Sequence, residues 1–494
     1  MELTKIKPFK VVGNLYFVGS KQASCHVIDT GDGLIMIDTG YEASVPGILE
    51  SMAELGLDPA EIKVILHSHG HGDHTFATPG ILEHAPAAET YLNFNDIKYL
   101  GNRFMPDHDI KDGDVIKLGN TEVLCLFTPG HTEGVSSFFF NVEEDGATYR
   151  CGMFGGAGVN QIKWKVFDKY NVPYRMRREF LASTRRLMSE KVDVVVGNHV
   201  GQCDTYGKLE RLANGEKNPF IDPTEWGRFL EKQIVRIEET IKNDARDSFI
   251  NYAHRGAPAY CPENTMLSFY TGLYMGSNGI ETDVQKTKDG VLVLFHDDNL
   301  ERLLGIEGCI ADYTYEELRK YDIVNGDLRD KIPTFEDFLT HFSHFNITFA
   351  IELKVAGIER EVAAMIYRFG VEKKVVITSF IFDAVAEMRK CAPELRTGYL
   401  VRLYRNPDDK KLENAYNEAV RRADEAGIDE LCPSARDITP ELVEAWHRLG
   451  FRVRAWDIKD EEIMRYTYDS GADGMTCNFP DKLTEYIKSK KENQ

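Results

Sequence analysis

The sequence contains no Cys-x-x-Cys pair, no long apolar run and no excess of positive charge. Its nine cysteines (Cys25, Cys125, Cys151, Cys203, Cys261, Cys309, Cys391, Cys432 and Cys477) are odd in number and widely scattered. That pattern argues against a disulfide framework and against a thiolate zinc site. No stretch approaches the roughly 18 apolar residues of a membrane span. Residues 1–5, Met-Glu-Leu-Thr-Lys, lack the apolar core of a secretory signal, so a reducing cytoplasm is expected. With 79 acidic and 59 basic side chains, the formal net charge is -20. Such a field repels polyanions, so nucleic acid is not an expected partner. A small anionic ester would have to be held by local cations or by metal.

What is present is length and local pattern. A chain of 494 residues exceeds what one hydrophobic core supports, and two domains are expected, over residues 1–245 and 246–494. The first half mixes glycine-punctuated apolar runs (14–19, 33–38 and 64–66, then 121–128, 135–142 and 192–196) with a helix near 43–56. An amphipathic helix near 224–245 closes it. From residue 248 onward short apolar strands (249–252, 279–284, 291–295, 349–353, 375–378 and 451–455) alternate with helices. That alternation suits a (β/α)8 barrel.

Directly after Val64-Ile65-Leu66 the chain reads His67-Ser68-His69-Gly70-His71-Gly72-Asp73-His74. Imidazoles and a carboxylate so close together are good zinc ligands, and the glycines allow the turn that converges them. The H-x-H-x-D-H pattern of His69, His71, Asp73 and His74 resembles the metallo-β-lactamase superfamily over about residues 12–240. The resemblance implies an αββα sandwich. It also implies His131, in Thr128-Pro129-Gly130-His131, joining His69 and His71 on a first zinc. His199, in Gly197-Asn198-His199, would join Asp73 and His74 on a second. Asp38 matches an aspartate that supports the site from behind. One departure stands out: where many members have a zinc-bridging aspartate, this chain has Cys151-Gly152-Met153, so one or two zinc ions are expected without that bridge. Histidine at position 71 favours zinc over a di-iron centre. Zinc would polarise the scissile bond and lower the pKa of water to about 7, with Asp73 orienting or shuttling a proton. The cations Lys163, Lys165, Lys169, Arg175, Arg177, Arg178, Arg185 and Arg186 are read either as a cleft wall for an anionic substrate or as a solvated helix face.

In the second half, His254-Arg255-Gly256 follows an apolar strand, and Pro262-Glu263-Asn264-Thr265 comes next. Glu281 and Asp283 stand two apart, as do Glu352 and Lys354, so each pair shares one face of its strand. His296-Asp297 ends the run Val291–Phe295. This set is similar to the glycerophosphodiester phosphodiesterase family across about residues 248–485. The resemblance implies a TIM barrel with His254 and His296 as general acid and base. It implies Glu281, Asp283 and Glu352 on one magnesium or calcium ion, and Arg255 and Lys354 on phosphate. It also implies attack by a glycerol hydroxyl to give a cyclic phosphate that water then opens. Trp456, in Ala455-Trp456-Asp457-Ile458-Lys459, matches a substrate-side tryptophan whose polar neighbours are changed here. Asn478 replaces a family aspartate.

The expected protein is a bifunctional metal-dependent hydrolase of small-molecule phosphodiesters or esters. The barrel would release glycerol phosphate and an alcohol. The zinc domain would cleave a phosphodiester, lactone, thioester or lactam. Two alternatives stay open: a single-activity phosphodiesterase with the zinc domain as a binding or assembly module, and catalysis by the zinc domain alone. A homo-oligomer is compatible with all three.

Overall fold

The computed structural model describes residues 3–170, 172–173, 175–244, 249–402 and 409–492. Its contacts divide the chain into two compact units. The first comprises Met1–Lys163 and Met176–Asn243; the second comprises Trp164–Arg175 and Asp244–Gln494. The join expected at 245/246 lies outside the described residues.

The first unit is built on two sheets. One has seven strands in chain order, from Phe9–Val12 to His108–Asp109. The other has five, with Ser136–Glu144 at its centre between Ala147–Met153 and Thr121–Phe127. Alternation of side chains sorts the residues of strand Leu34–Ile37. Ile35 and Ile37 join Leu66, Phe138, Phe140 and Met153 in the cluster between the sheets. Leu34 and Met36 face outward, against Ile48 and Met52 of helix Val45–Leu55 and Ile81 of helix Thr78–Leu82. That first helix begins with Pro46 in its opening turn and ends where Gly56 turns left-handed at φ 75°, a conformation glycine adopts without strain. On the outer side of the second sheet, Trp226 of helix Glu225–Asn243 meets the Phe139 ring edge-on at 5.7 Å. The layers are those of an αββα sandwich.

The second unit is a closed ring of eight parallel strands: Ile250–His254, Gly279–Lys286, Thr348–Leu353, Val375–Ser379, Arg396–Val401, Glu430–Pro433, Arg452–Ile458 and Gly474–Cys477. Pairing of the first strand with both the second and the last closes it. Side-chain caps start several of its helices. Thr265 accepts from Ser268 N, and Thr334 and Asp337 cap each other's backbone N–H. The (β/α)8 expectation is borne out, with two differences. Val291–Phe295, read as a strand of the series, contributes Leu292–Leu294, which pairs antiparallel to Gly279–Lys286 outside the ring. Leu292 and Leu294 face one hydrophobic cluster and Val293 and Phe295 another, so the uniformly apolar run says nothing of ring membership. Strands 396–401, 430–433 and 474–477 escaped the sequence reading because the barrel interior accepts Arg396, Glu430 and Thr476, which break the apolar signal.

Among the described residues, no helix is long and apolar enough to cross a membrane. All nine cysteines are free.

Phe140 is buried in the inter-sheet cluster. Phe140→Ala is expected to cost about 3–5 kcal/mol, read from denaturant unfolding of the first unit; a loss below about 1 kcal/mol would show a loosely packed interface between the sheets.

Candidate functional site

In the first unit, strand Ile62–Leu66 ends at the histidine-rich loop, which re-enters a short helix at Gly72–Thr75. Ring nitrogens there are sorted by what their opposite nitrogens bind. His69 Nδ1 donates to Gly155 O at 2.9 Å, His131 Nδ1 to Gly158 O at 2.7 Å and His199 Nδ1 to Gln22 O at 3.0 Å. His74 Nδ1 donates to Asp38 Oδ2 at 2.7 Å. Each of these rings thus presents Nε2, with its lone pair, on the side away from its backbone or carboxylate partner. His71 is the exception, with its Nδ1 lying 3.1 Å from His131 Nε2.

Donor atoms of His69, His71 and His131 lie within 4.8 Å of one another, as do those of His69, Asp73 and His74. His199 Nε2 and His74 Nε2 each stand 3.6 Å from Asp73 Oδ2. Two overlapping donor clusters result, and all six expected ligands take part. His69 Nε2 and His74 Nε2 are buried without a hydrogen-bond partner. An orphaned buried lone pair costs about 1–3 kcal/mol, a cost that a metal ion removes. Burial and the surrounding imidazoles pull His69 far down, His71 to about 4 and His131 to about 3, which keeps the rings neutral as ligands must be. Five imidazoles and one carboxylate are a donor set suited to zinc. Met153 belongs to the apolar core and offers nothing to the cluster.

Two buried aspartates hold these ligands. Asp38 sits at the end of strand Leu34–Ile37 with φ 57°. Its carboxylate accepts from Ser68 N and Ser68 Oγ, both at 2.8 Å, as well as from His74. Burial pushes its carboxyl up, but the facing His74 and the Ser68 bonds outweigh burial and hold it below the usual range. Asp96 escaped the sequence reading. It accepts from Gly70 N at 2.8 Å, Gly134 N at 2.8 Å and Thr132 Oγ1 at 2.5 Å, so one carboxylate ties the His69–His71 loop to the His131 loop. No motif marks it; it lies in Asn93-Phe94-Asn95-Asp96, between the ligand segments. Glycine is required at 155, where a Cβ would fall 1.9 Å from Ser136 O.

The cleft over these donors has a volume of about 830 Å³. Of the cations in the 163–186 run that belong to the first unit, Lys163, Arg177, Arg178, Arg185 and Arg186, none is among the described residues that line it. Arg177 and Arg178 are buried in helix Met176–Leu187, while Lys163, Lys165, Lys169, Arg185 and Arg186 are exposed. The first unit's part of the run is neither a cleft wall nor one solvated face. Among the described residues, the lysine or arginine that lines the cleft is Arg236.

In the barrel, register brings the polar residues to the strand ends. His254 pairs with Glu281, and Asp283 with Glu352, on neighbouring strands. Donor oxygens of Glu281, Asp283 and Glu352 lie within 4.8 Å of one another, all buried. Burial and mutual repulsion push Glu281 and Glu352 upward. Burial also opposes charge on Asp283, but the Arg255 guanidinium, with His296 and Lys354, outweighs it and holds that carboxyl low. Asp283 Oδ1 has no hydrogen-bond partner. Three buried carboxylate donors fit a hard divalent cation. Arg255 Nε is 3.4 Å from Asp283 Oδ2, and Lys354 Nζ is 2.8 Å from Glu352 Oε1.

The two histidines are held alike. His254 Nδ1 donates to Asn478 Oδ1 at 2.5 Å, and His296 Nδ1 to Asp297 Oδ1 at 2.7 Å, leaving both Nε2 atoms for chemistry. Burial and the adjacent Arg255 pull His254 down to about 3. Arg302 was not anticipated. It binds Asp297 through Nε at 2.6 Å and Glu263 through Nη2 at 2.7 Å, and Glu263 in turn accepts from Arg255 Nη1 at 2.9 Å. His254, Arg255, Glu281, His296, Glu352 and Trp456 line a pocket of about 270 Å³. Trp456 donates from Nε1 to Cys432 O at 3.1 Å and meets Phe380 edge-on. Of six non-glycine residues with left-handed φ among the described residues, Asp38, Arg255, Asn264 and Asp457 lie in or against these two sites, the pattern of strain stored where chemistry is placed.

The glycerophosphoryl diester phosphodiesterase family model matches residues 254–482, and the metallo-beta-lactamase superfamily model matches residues 18–145. The chain is 31% identical over 245 residues to a glycerophosphodiester phosphodiesterase of Caldanaerobacter subterraneus subsp. tengcongensis, covering 48% of this chain and 96% of the relative. It is 32% identical over 250 residues to one of Bacillus altitudinis, covering 47% and 96%. Among solved structures it is similar to the native FEZ-1 metallo-beta-lactamase of Legionella gormanii, with 26% identity, 49% of this chain and 98% of that one covered, and a TM-score of 0.45.

Asp96→Ala removes the tie between the ligand loops. Zinc affinity is expected to fall about 10–100-fold, measured by competition with a graded chelator; unchanged affinity would show that the loops hold themselves.

Proposed function

Since this chain belongs, through its second half, to the glycerophosphoryl diester phosphodiesterase family and carries a metallo-beta-lactamase superfamily domain in its first, it is a hydrolase, and we propose that it joins two separate hydrolytic activities. The barrel would cleave a glycerophosphodiester to glycerol phosphate and an alcohol. The first unit would be a zinc hydrolase of an ester-type bond.

For the barrel, the reading is supported chiefly by the convergence of two like-held histidines, two cations and three buried carboxylates on one mouth. Glu281, Asp283 and Glu352 would hold magnesium or calcium. That cation would supply positive charge against the phosphate oxygens as charge builds on them. Arg255 and Lys354, now paired with the carboxylates, would turn toward the phosphate. One histidine would take a proton at Nε2 from the attacking hydroxyl and the other would deliver one to the leaving alcohol. Asn478 and Asp297 fix the tautomers that this requires, through the Nδ1 bonds.

In the first unit, His69, His71 and His131 would hold one zinc, and Asp73, His74 and His199 a second. Zinc would supply Lewis acidity that polarises the scissile bond and lets water attack at neutral pH. Asp73, mostly buried beside His74 and His199, would accept a proton. The missing bridge at Met153 favours one competing reading, a zinc domain that binds or assembles without catalysis. Loss of hydrolysis together with zinc in a His69→Ala, His71→Ala variant would rule it out.

Release of glycerol 3-phosphate from a panel of glycerophosphodiesters tests the barrel assignment. Wild type is expected to release it only with magnesium or calcium, and His296→Ala to lose about 10²–10⁴-fold in rate. Cation-independent release, or an unaffected variant, would contradict the assignment.

A further inference from the structure

We infer that the cleft of the first unit takes a substrate whose non-reacting part carries a fixed negative charge, and that Arg236 is the residue that binds that charge. The inference rests on the reading of this unit as a zinc hydrolase and names the chemical class of its substrate.

The lining of the cleft sets the class. Gln22, Asn160, Gln161, Asn198 and Gln202 give it an amide-rich wall, with Tyr41 and Phe76 as its large aromatic surfaces. Among the described lining residues, Asp73 is the one carboxylate, and it belongs to the donor cluster. Among those described residues, Arg236 is the one lysine or arginine. In a chain of net charge -20, a cleft with an arginine and no spare carboxylate is a local reversal of sign. It attracts an anion to a place from which the rest of the molecule repels it.

The way Arg236 is held makes the feature more than a passing surface charge. Helix Glu225–Asn243 buries Trp226, Phe229, Leu230, Ile237 and Ile241 on one stripe. Gln233 lies on that stripe and is only 2% exposed. Burying a glutamine among apolar neighbours is costly unless its amide is bonded. Its Oε1 accepts from Arg236 Nη1 at 2.9 Å, and its Nε2 donates to Phe229 O at 3.4 Å. A buried polar side chain thus orients the guanidinium. Among the described residues, no carboxylate lies within ion-pair distance of Arg236, so the donors not used by Gln233 remain for a ligand. The planar fork of arginine matches a carboxylate or a phosphate with two parallel bonds. Both sources share that chemistry. The same geometry is a poor match for an uncharged lactone, lactam or thioester.

Thiol probes separate the terms without knowledge of the natural substrate. Each binds zinc through sulfur and carries its second group to the cleft wall. Mercaptoacetate, 3-mercaptopropionate and 4-mercaptobutyrate would be titrated calorimetrically into the zinc-loaded full chain, beside their amides. Mercaptomethylphosphonate serves as the phosphate arm. Wild type is expected to bind the best-fitting acid at least about ten-fold tighter than its amide. Arg236→Met should abolish that ratio with zinc content unchanged, and Arg236→Lys should keep part of it. Comparing the acid-to-amide ratio between proteins cancels differences in thiol acidity. A stronger effect on the phosphonate than on the acids would assign a phosphate substrate; the reverse would assign a carboxylate. Absence of preference in wild type, or a preference that survives Arg236→Met, would overturn the inference. Failure of the chain to hold zinc, read separately by elemental analysis, would overturn the reading beneath it and the inference with it.

Discussion

Like groups buried against one another are the constraint on which both halves of this protein rest. Glu281, Asp283 and Glu352 crowd their oxygens into one buried space, and burial with mutual repulsion drives two of the three upward in pKa. His69, His71, His74, His131 and His199 crowd their rings in the same way, with lone pairs of His69 and His74 left unpaired. Neither arrangement is favourable by itself. Each would become so if a cation took the donors: carboxylate oxygens suit a hard ion, and imidazoles suit zinc.

The surrounding structure is spent on holding those groups in place. Asp38 and Asp96 bind the histidine loops from beneath in the sandwich. In the barrel, Asp297, Arg302 and Glu263 form a chain of bonds from His296 to Arg255, and Asn478 separately holds His254. Left-handed backbone at Asp38, Arg255, Asn264 and Asp457, at about 1–3 kcal/mol each, is strain that the well-packed sheets beneath sustain. Rigidity of this kind is what keeps the donors close enough together to receive an ion.

The residues legible from sequence were those whose chemistry is visible without a fold. The histidine-rich run and the paired residues 281 and 283 announce themselves by type and spacing, while His131, His199, His254 and His296 were marked by the family resemblance of the segments around them; the structure brings these residues together at two sites. Supporting residues were not legible. Asp96 and Arg302 are ordinary charged residues in ordinary stretches, and only the folded chain shows what they touch. Arg236 was hidden for another reason: it sits in a charged amphipathic helix, while the denser cation run at 163–186 drew attention to residues that the structure sends to the core or to solvent. Barrel strands with polar inward residues were missed because apolar periodicity is a poor guide where the interior is itself a polar site.

Independence of the two metal sites is the central claim, and selective metal removal tests it most directly. The chain would be treated with a chelator selective for zinc over magnesium, and its zinc content and magnesium-dependent release of glycerol 3-phosphate followed together. Zinc should leave while glycerol 3-phosphate continues to form at an unchanged rate. Loss of that activity in step with zinc would contradict the account, because it would make the two halves one catalytic unit.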